Sequence, residues 1–145
     1  MISRDALYSF TESLINASVL GDALSGAESF RNLRSSVDAA TKVVRIECLD
    51  GQFCRTDESV RKELNVSFTA QFWVIPDGVE QADMDAATDE SFEMARQFFE
   101  AMADNPGLSG LVCDAYADVF ETGEANLGAT RRGVTYLDGL INQAS

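Results

Sequence analysis

The sequence predicts an α+β fold: a mostly antiparallel sheet flanked by an N-terminal helix and a central amphipathic helix. Three observations carry this. From Leu64 to Phe72, apolar and polar residues alternate, the period of a strand with one buried face. Residues 3–24 and 88–103 instead repeat apolar residues every three or four positions, the period of a helix packed along one side. The segments run helix, strand, strand, helix, strand, strand, and strands grouped between helices form an antiparallel sheet with helices on one face.

In chain order, the first helix carries the stripe Leu7, Phe10, Leu14, Ala17, Leu20 and Leu24. Ser3 caps its start, Asp5 suits the first turn, and Gly21 is the point where it can end early. Residues 25–41 continue the stripe through Phe30, Leu33, Val37 and Ala40, against Ser25, Gly26, Ser35 and Ser36, and a short helix is expected there. Residues 42–48 read as a strand with Val44, Ile46 and Cys48 inward, followed by a turn at Asp50-Gly51. Residues 55–63 are charged and expected to be exposed, which leaves a hairpin pairing 43–49 with 64–74. At the end of the central strand the alternation lapses at Trp73 and Ile75, so both faces are expected to be covered there. Pro76 and Gly78 end it.

An acidic loop is expected over 77–87, then a helix capped by Thr88, with Asp89 and Glu90 in its first turn. Its apolar face is Phe92, Ala95, Phe98, Phe99 and Met102, and Asn105-Pro106-Gly107 stops it. Residues 110–121 fit a helix or a strand. The strand is preferred because 133–141 look like its return partner, and it places Leu111, Cys113, Ala115, Ala117 and Val119 on one face. Between them, residues 122–132 are small, Gly-spaced and polar and read as a long flexible loop. All 145 residues are expected to form a single domain.

The charge is uneven. Net charge is −13, but residues 77–130 hold 13 acidic residues against Arg96 alone, while 1–76 are near balance. Such a field keeps a chain soluble and repels phosphate and anionic lipid, so neither nucleic-acid nor membrane binding is expected. Arg4 and Asp5 interrupt any leader-like apolar run, and no run approaches the roughly 18 apolar residues of a membrane span. Cys48, Cys54 and Cys113 are odd in number and unevenly spaced, which argues against a disulfide framework or zinc site and for free thiols.

No catalytic motif survives inspection. The chain has no histidine, which removes imidazole acid–base chemistry and histidine triads. Gly107-Leu-Ser-Gly110 lacks the last glycine of a nucleophile elbow. Asp83-Met-Asp85 opens like a calcium loop but has neither its turn glycine nor its closing glutamate. Glu90 and Glu93 read as a solvated acidic face, and the phenylalanines as core residues rather than a base-stacking platform. No cofactor, no metal and no enzymatic activity are expected. Arg131 and Arg132 are a basic pair within acidic surroundings. They are either two solvated loop residues or, with Asn126 and Leu127, a contact for an acidic surface such as a second copy.

Residues 64–141 resemble the tail terminator proteins of long-tailed phages with noncontractile tails. The resemblance lies in the alternating strand Asn65–Val74, the acidic loop, and the amphipathic helix Asp89–Ala103 that exits through Asn105-Pro-Gly-Leu-Ser-Gly-Leu-Val112. A strand, a long loop and a final strand complete it. It implies a virion protein of the tail, assembled in the host cytoplasm as a hexameric ring. The ring would cap the tail tube protein, stop tube growth and present a face to the head–tail connector or stopper. DNA would pass through an acidic lumen without specific binding. A connector or stopper protein of the neck is the alternative, and an acidic inhibitor imitating DNA is a third reading.

Overall fold

The computed structural model describes residues 4–19, 21–30, 41–55, 62–104, 114–127 and 130–144. Among them the elements are α1 (Arg4–Ala17), β1 (Glu28–Phe30), β2 (Lys42–Arg55), β3 (Lys62–Val74), α2 (Gln81–Asp104), β4 (Asp114–Leu127) and β5 (Thr130–Ala144). The strands form one sheet in the order β1-β2-β3-β5-β4, antiparallel except for the β1–β2 pair. The fold is α+β, with an N-terminal helix, a central helix and a mostly antiparallel five-stranded sheet.

The strand with the clearest alternation is the middle one. β3 pairs with β2 from Lys42↔Val74 down to Arg55↔Lys62, and on its other side with β5 from Val74↔Gly133 to Glu63↔Ala144. The expected hairpin is therefore present, but it is longer than the sequence suggested. Asp50-Gly51 is not a turn. The register shifts between Cys48 and Asp50, and the strand continues to Arg55. One extra residue is absorbed as a bulge, because β3 is long enough for the ladder to resume.

One face of the sheet carries the main core. Val44, Ile46, Phe68, Ala70, Phe72, Val74 and Leu137 pack with Ala87, Met94, Ala95, Phe98 and Met102 of α2 and with Tyr8 and Phe10 of α1. Phe98 is central: its ring meets Phe72 at 5.5 Å and Phe10 at 6.0 Å, both edge-on. Gly133 brings α2 down onto the sheet. A Cβ there would lie 2.5 Å from the Thr88 nitrogen, so only glycine permits this approach. Beside it, Ser91 and Thr135 share a hydrogen bond of 2.9 Å within the same interface.

The helices differ from expectation at their ends. α1 stops at Ala17, where Ser18 returns both its N–H and its hydroxyl to the Leu14 carbonyl. Gly21 follows at φ +103°, a left-handed geometry, and the chain turns. Leu24 still reaches the core, but from a turn rather than from the helix. The short helix expected over 25–41 is contradicted at 25–30, where a turn leads into strand β1, and at 41, which is not helical, while 31–40 lie outside the described residues.

α2 starts seven residues before Thr88. Glu80 is the cap, and Asp83 three residues on accepts its N–H at 3.2 Å, one half of a capping box. Much of the expected acidic loop is thus the first two turns of the helix. Thr88 instead returns its hydroxyl to the Met84 carbonyl. Phe92, assigned to the apolar face, is exposed at the rim, and Ser91 takes the central position.

β4 and β5 replace the expected long loop. Their ladder runs to Leu127↔Thr130, leaving only residues 128 and 129 between them. Small polar residues there read as a loop, but β5 offers a continuous ladder, and Thr122 and Thr135 join hydroxyls across it at 3.1 Å. β4 also shifts register between Ala117 and Val119, so the single face expected for 111–119 is broken at Asp118.

Candidate subunit-contact surface

The four residues singled out by the sequence come together at the turn end of the β4–β5 hairpin. Asn126 lies opposite Arg131, Leu127 opposite Thr130, and Ala125 opposite Arg132. Alternation along β5 sends the two arginines to opposite faces. Arg131 is exposed and donates to Glu124 at 3.0 Å. Glu124 also accepts from Gln81 of α2 at 3.2 Å, which ties the hairpin to the helix N-terminus. Asn126 is exposed as well.

Arg132 is different. It is 0% exposed, the largest fully buried side chain among those described. It is therefore not a solvated loop residue and does not present its guanidinium to a partner. A strand position replaces the loop position assumed from sequence, and that decides its burial.

Beside Arg131 lies a cleft of about 480 Å³, lined by Ile75, Pro76, Val79, Met84 and Thr130 among others. Val79 stands fully in solvent at its rim. The sequence reading passed over these residues. Val79 between Gly78 and Glu80 belongs to no periodic pattern, so only the apposition of the β3–α2 connection and the hairpin makes it part of a surface.

The second feature is the outward face of α2. Its 24 residues span about 36 Å. Along it stand Asp83, Asp85, Asp89, Glu90, Glu93, Glu100 and Asp104 against Arg96 alone. All eight are exposed or half-exposed. Arg96 is clamped between Glu93 at 2.7 Å and Glu100 at 2.6 Å. The Glu93 hydrogen bond, then the charges of Glu100 and Glu93, hold its guanidinium above its ordinary pKa. Glu90 faces inward to Lys42 at 2.7 Å, and Lys42 also donates to the Ala23 carbonyl at 3.0 Å. That lysine joins the turn after α1, β2 and α2. The rest of the face is unneutralised carboxylate.

The sheet face away from α2 holds a smaller core of Val43, Trp73 and Val134, with Ala125 and Tyr136 against it. Coverage of both faces near Trp73, expected from the lapse in alternation, is present: Trp73 is 5% exposed. Its indole N–H donates to Gln71 at 3.1 Å, and Thr69 donates to Asp138 at 2.8 Å. Burial, and then the Glu121 carboxylate, raise the Tyr136 phenol above its ordinary pKa, with Arg45 opposing.

Among the described residues no three or more Cys, Asp or Glu are placed to hold a metal ion, and no described helix is long and apolar enough to cross a membrane. The chain matches no family model and no curated protein.

Proposed function

We propose that this chain is a ring-forming structural protein of a phage particle, a tail terminator that caps the tube of a long noncontractile tail. The observation that carries the reading is the outward face of α2, about 36 Å of helix with six carboxylates besides the inward-facing Glu90 and one clamped arginine. Copies arranged with this face inward make a channel wall that repels phosphate, so DNA passes without binding. The strand and helix order that the resemblance implies is compatible with this, and so is a hairpin whose end exposes Asn126 and Arg131 beside a cleft of mixed apolar and charged lining. In this reading Asn126, Leu127 and Arg131 contact a neighbouring copy, the tail tube protein or the connector, and Arg132 supports them from inside. No residue is catalytic and no cofactor takes part.

Electron microscopy of particles made with the gene silenced tests the reading. Overlong tubes are expected. Tails of normal length that fail to join filled heads move the chain to a connector or stopper role in the neck, and unchanged infectious particles overturn both. The same acidic helix favours one other reading, an inhibitor that imitates the phosphate backbone. Tight, salt-sensitive binding of the purified chain to a DNA-binding protein of the host, with normal particles after silencing, would select it.

A further inference from the structure

The ladder between β3 and β5 ends at Val74↔Gly133, yet β5 pairs with β4 as far as Thr130. Ile75 still donates to the Thr41 carbonyl at 2.9 Å, but Pro76 has no N–H to continue a ladder, and the chain turns toward α2. The two paths part, and between them lies the cleft of about 480 Å³. Half-buried Ile75, Pro76 and Met84 supply its apolar lining, and Val79 stands fully exposed at the rim.

The walls of this cleft are tied. Glu124 accepts from Gln81 at 3.2 Å and from Arg131 at 3.0 Å, which fixes the hairpin against the start of α2. On the other side Asp83 accepts the Glu80 N–H at 3.2 Å, and a Cβ on Gly78 would run into the Asp83 carboxylate. Val79 sits between Gly78 and Glu80, so its side chain is displayed by a capped helix start. The cleft is thus formed before anything enters it, and the flexible, polarizable Met84 lets it accept more than one apolar side chain.

The charges choose the occupant. Asp77 and Glu80 flank Gly78 and Val79, both are exposed, and neither has an ion-pair partner among the described residues. Arg131 is the one cation of the lining, and Glu124 already engages it. The rim therefore attracts cations. A second copy does not bring them. Among the described residues its exposed large hydrophobics are Val19, Val79 and Phe92. In the chain each has a carboxylate within three residues, at Asp22, Glu80 and Glu93, and none has a lysine or arginine so near.

We infer that this cleft docks a segment of a different protein in which one apolar side chain is flanked by lysine or arginine. The apolar side chain enters against Ile75, Val79 and Met84, and the cations meet Asp77 and Glu80. The inference deepens the reading above by giving the hairpin end one kind of partner, and it rests on that reading for where such a partner is met.

Peptide arrays and amide NMR test it on the full chain. The array holds short peptides in a Gly-Ser background, with a central valine, leucine, isoleucine, methionine or phenylalanine flanked by lysines, by glutamates or by serines. Binding is expected for the lysine set above the serine set, and not for the glutamate set or for lysine peptides without the apolar residue. Titration with the strongest binder is expected to shift amides within 75–84 and at 124, 130 and 131. Val79→Ser, at a fully exposed position, is expected to fold as the original does and to weaken that peptide about tenfold. Asp77→Ser with Glu80→Gln is expected to weaken it and to flatten its salt dependence. Equal binding by Val79→Ser overturns the inference, as does a lysine set that binds no better than the serine set. Binding that survives loss of the apolar residue, or shifts confined to 89–104, means attraction to acid in general and overturns it too. Shifts that grow with protein concentration alone and vanish in Val79→Ser put a second copy in the cleft and overturn the partner named here. None of these outcomes touches tube length after silencing, so the ring reading is judged separately. Peptide binding at the cleft together with unchanged particles after silencing keeps the cleft and removes the ring.

Discussion

The two faces of this sheet are buried by different physics. Toward α2, β3 contributes Phe68, Ala70, Phe72 and Val74 to a mostly apolar interface, with the Ser91–Thr135 hydrogen bond inside it. Toward the opposite side the same strand contributes Thr69, Gln71 and Trp73, and the neighbours are Arg132, Tyr136 and Asp138. The first face is held by area and shape, roughly 25 cal/mol per Å² of apolar surface removed from water. The second holds polar groups that are tolerated inside only because they are hydrogen-bonded or paired. Burial alone therefore does not identify an apolar core. A substitution that keeps volume but changes charge separates the two faces.

The largest effects come from one charge reversal and one truncation, each at a buried position on one face. Arg132→Glu reverses a fully buried charge and is expected to cost at least about 4 kcal/mol, whereas Phe98→Ala on the opposite face is expected to cost about 3 kcal/mol through the cavity it leaves. Chemical denaturation measures both. An Arg132→Glu chain as stable as the original would remove the distinction between the faces. A double change of Arg131 and Arg132 to Glu would consequently report unfolding rather than docking.

Gly133→Ala sharpens the comparison on the helix side alone. Its methyl meets the backbone of Ala87 and Thr88, which cannot swing away, so α2 must lift. A loss of about 2 kcal/mol is expected, with a lower melting temperature and faster exchange of α2 amides.

On the other face, Tyr136 is the reporter. Its pKa is raised in the fold, by burial first and then by Glu121. A raised folded pKa means that the contribution to stability is complete below the ordinary tyrosine range and is lost as pH climbs through the folded value. Absorbance titration is expected to show phenol ionisation above the ordinary tyrosine range, and Tyr136→Phe to reduce the amplitude of that late step. A late step of unchanged amplitude after the substitution would remove Tyr136 as its source.

The smallest effect on stability is expected at the hairpin end. Arg131→Glu should shift unfolding by no more than about 0.5 kcal/mol, since the pair with Glu124 is exposed. The same variant is expected to impair ring formation or particle yield. Normal assembly would remove Arg131 from the contact.

Much of the fold was legible because it follows from local periods. The alternation from Leu64 to Phe72 marks a strand with one buried face wherever the chain places it, and it proved to be the middle of the sheet. The helical stripe ending in Phe98 and Met102 was equally legible, as were the return strand at 133–141 and the lapse at Trp73. The misread segments share a cause. Asp50-Gly51, residues 122–127 and residues 130–132 read as turn or loop, and residues 28–30 as part of a short helix, and each became strand because a neighbouring strand offered a ladder. Thr88 is a good cap by composition, but Asp83 satisfied the Glu80 N–H first and the helix began there.

By itself the sequence determined the amphipathic helices, the central strand, the absence of histidine chemistry and the concentration of acid between 77 and 130. Those depend on residue type and spacing within one segment. Tertiary structure alone decided that Arg132 is buried while Arg131 is not. It also decided that Val79 borders a cleft with the hairpin. Each of these depends on which distant strand lies alongside. No local period encodes that choice, because pairing is set by the total burial and hydrogen bonding of the whole sheet.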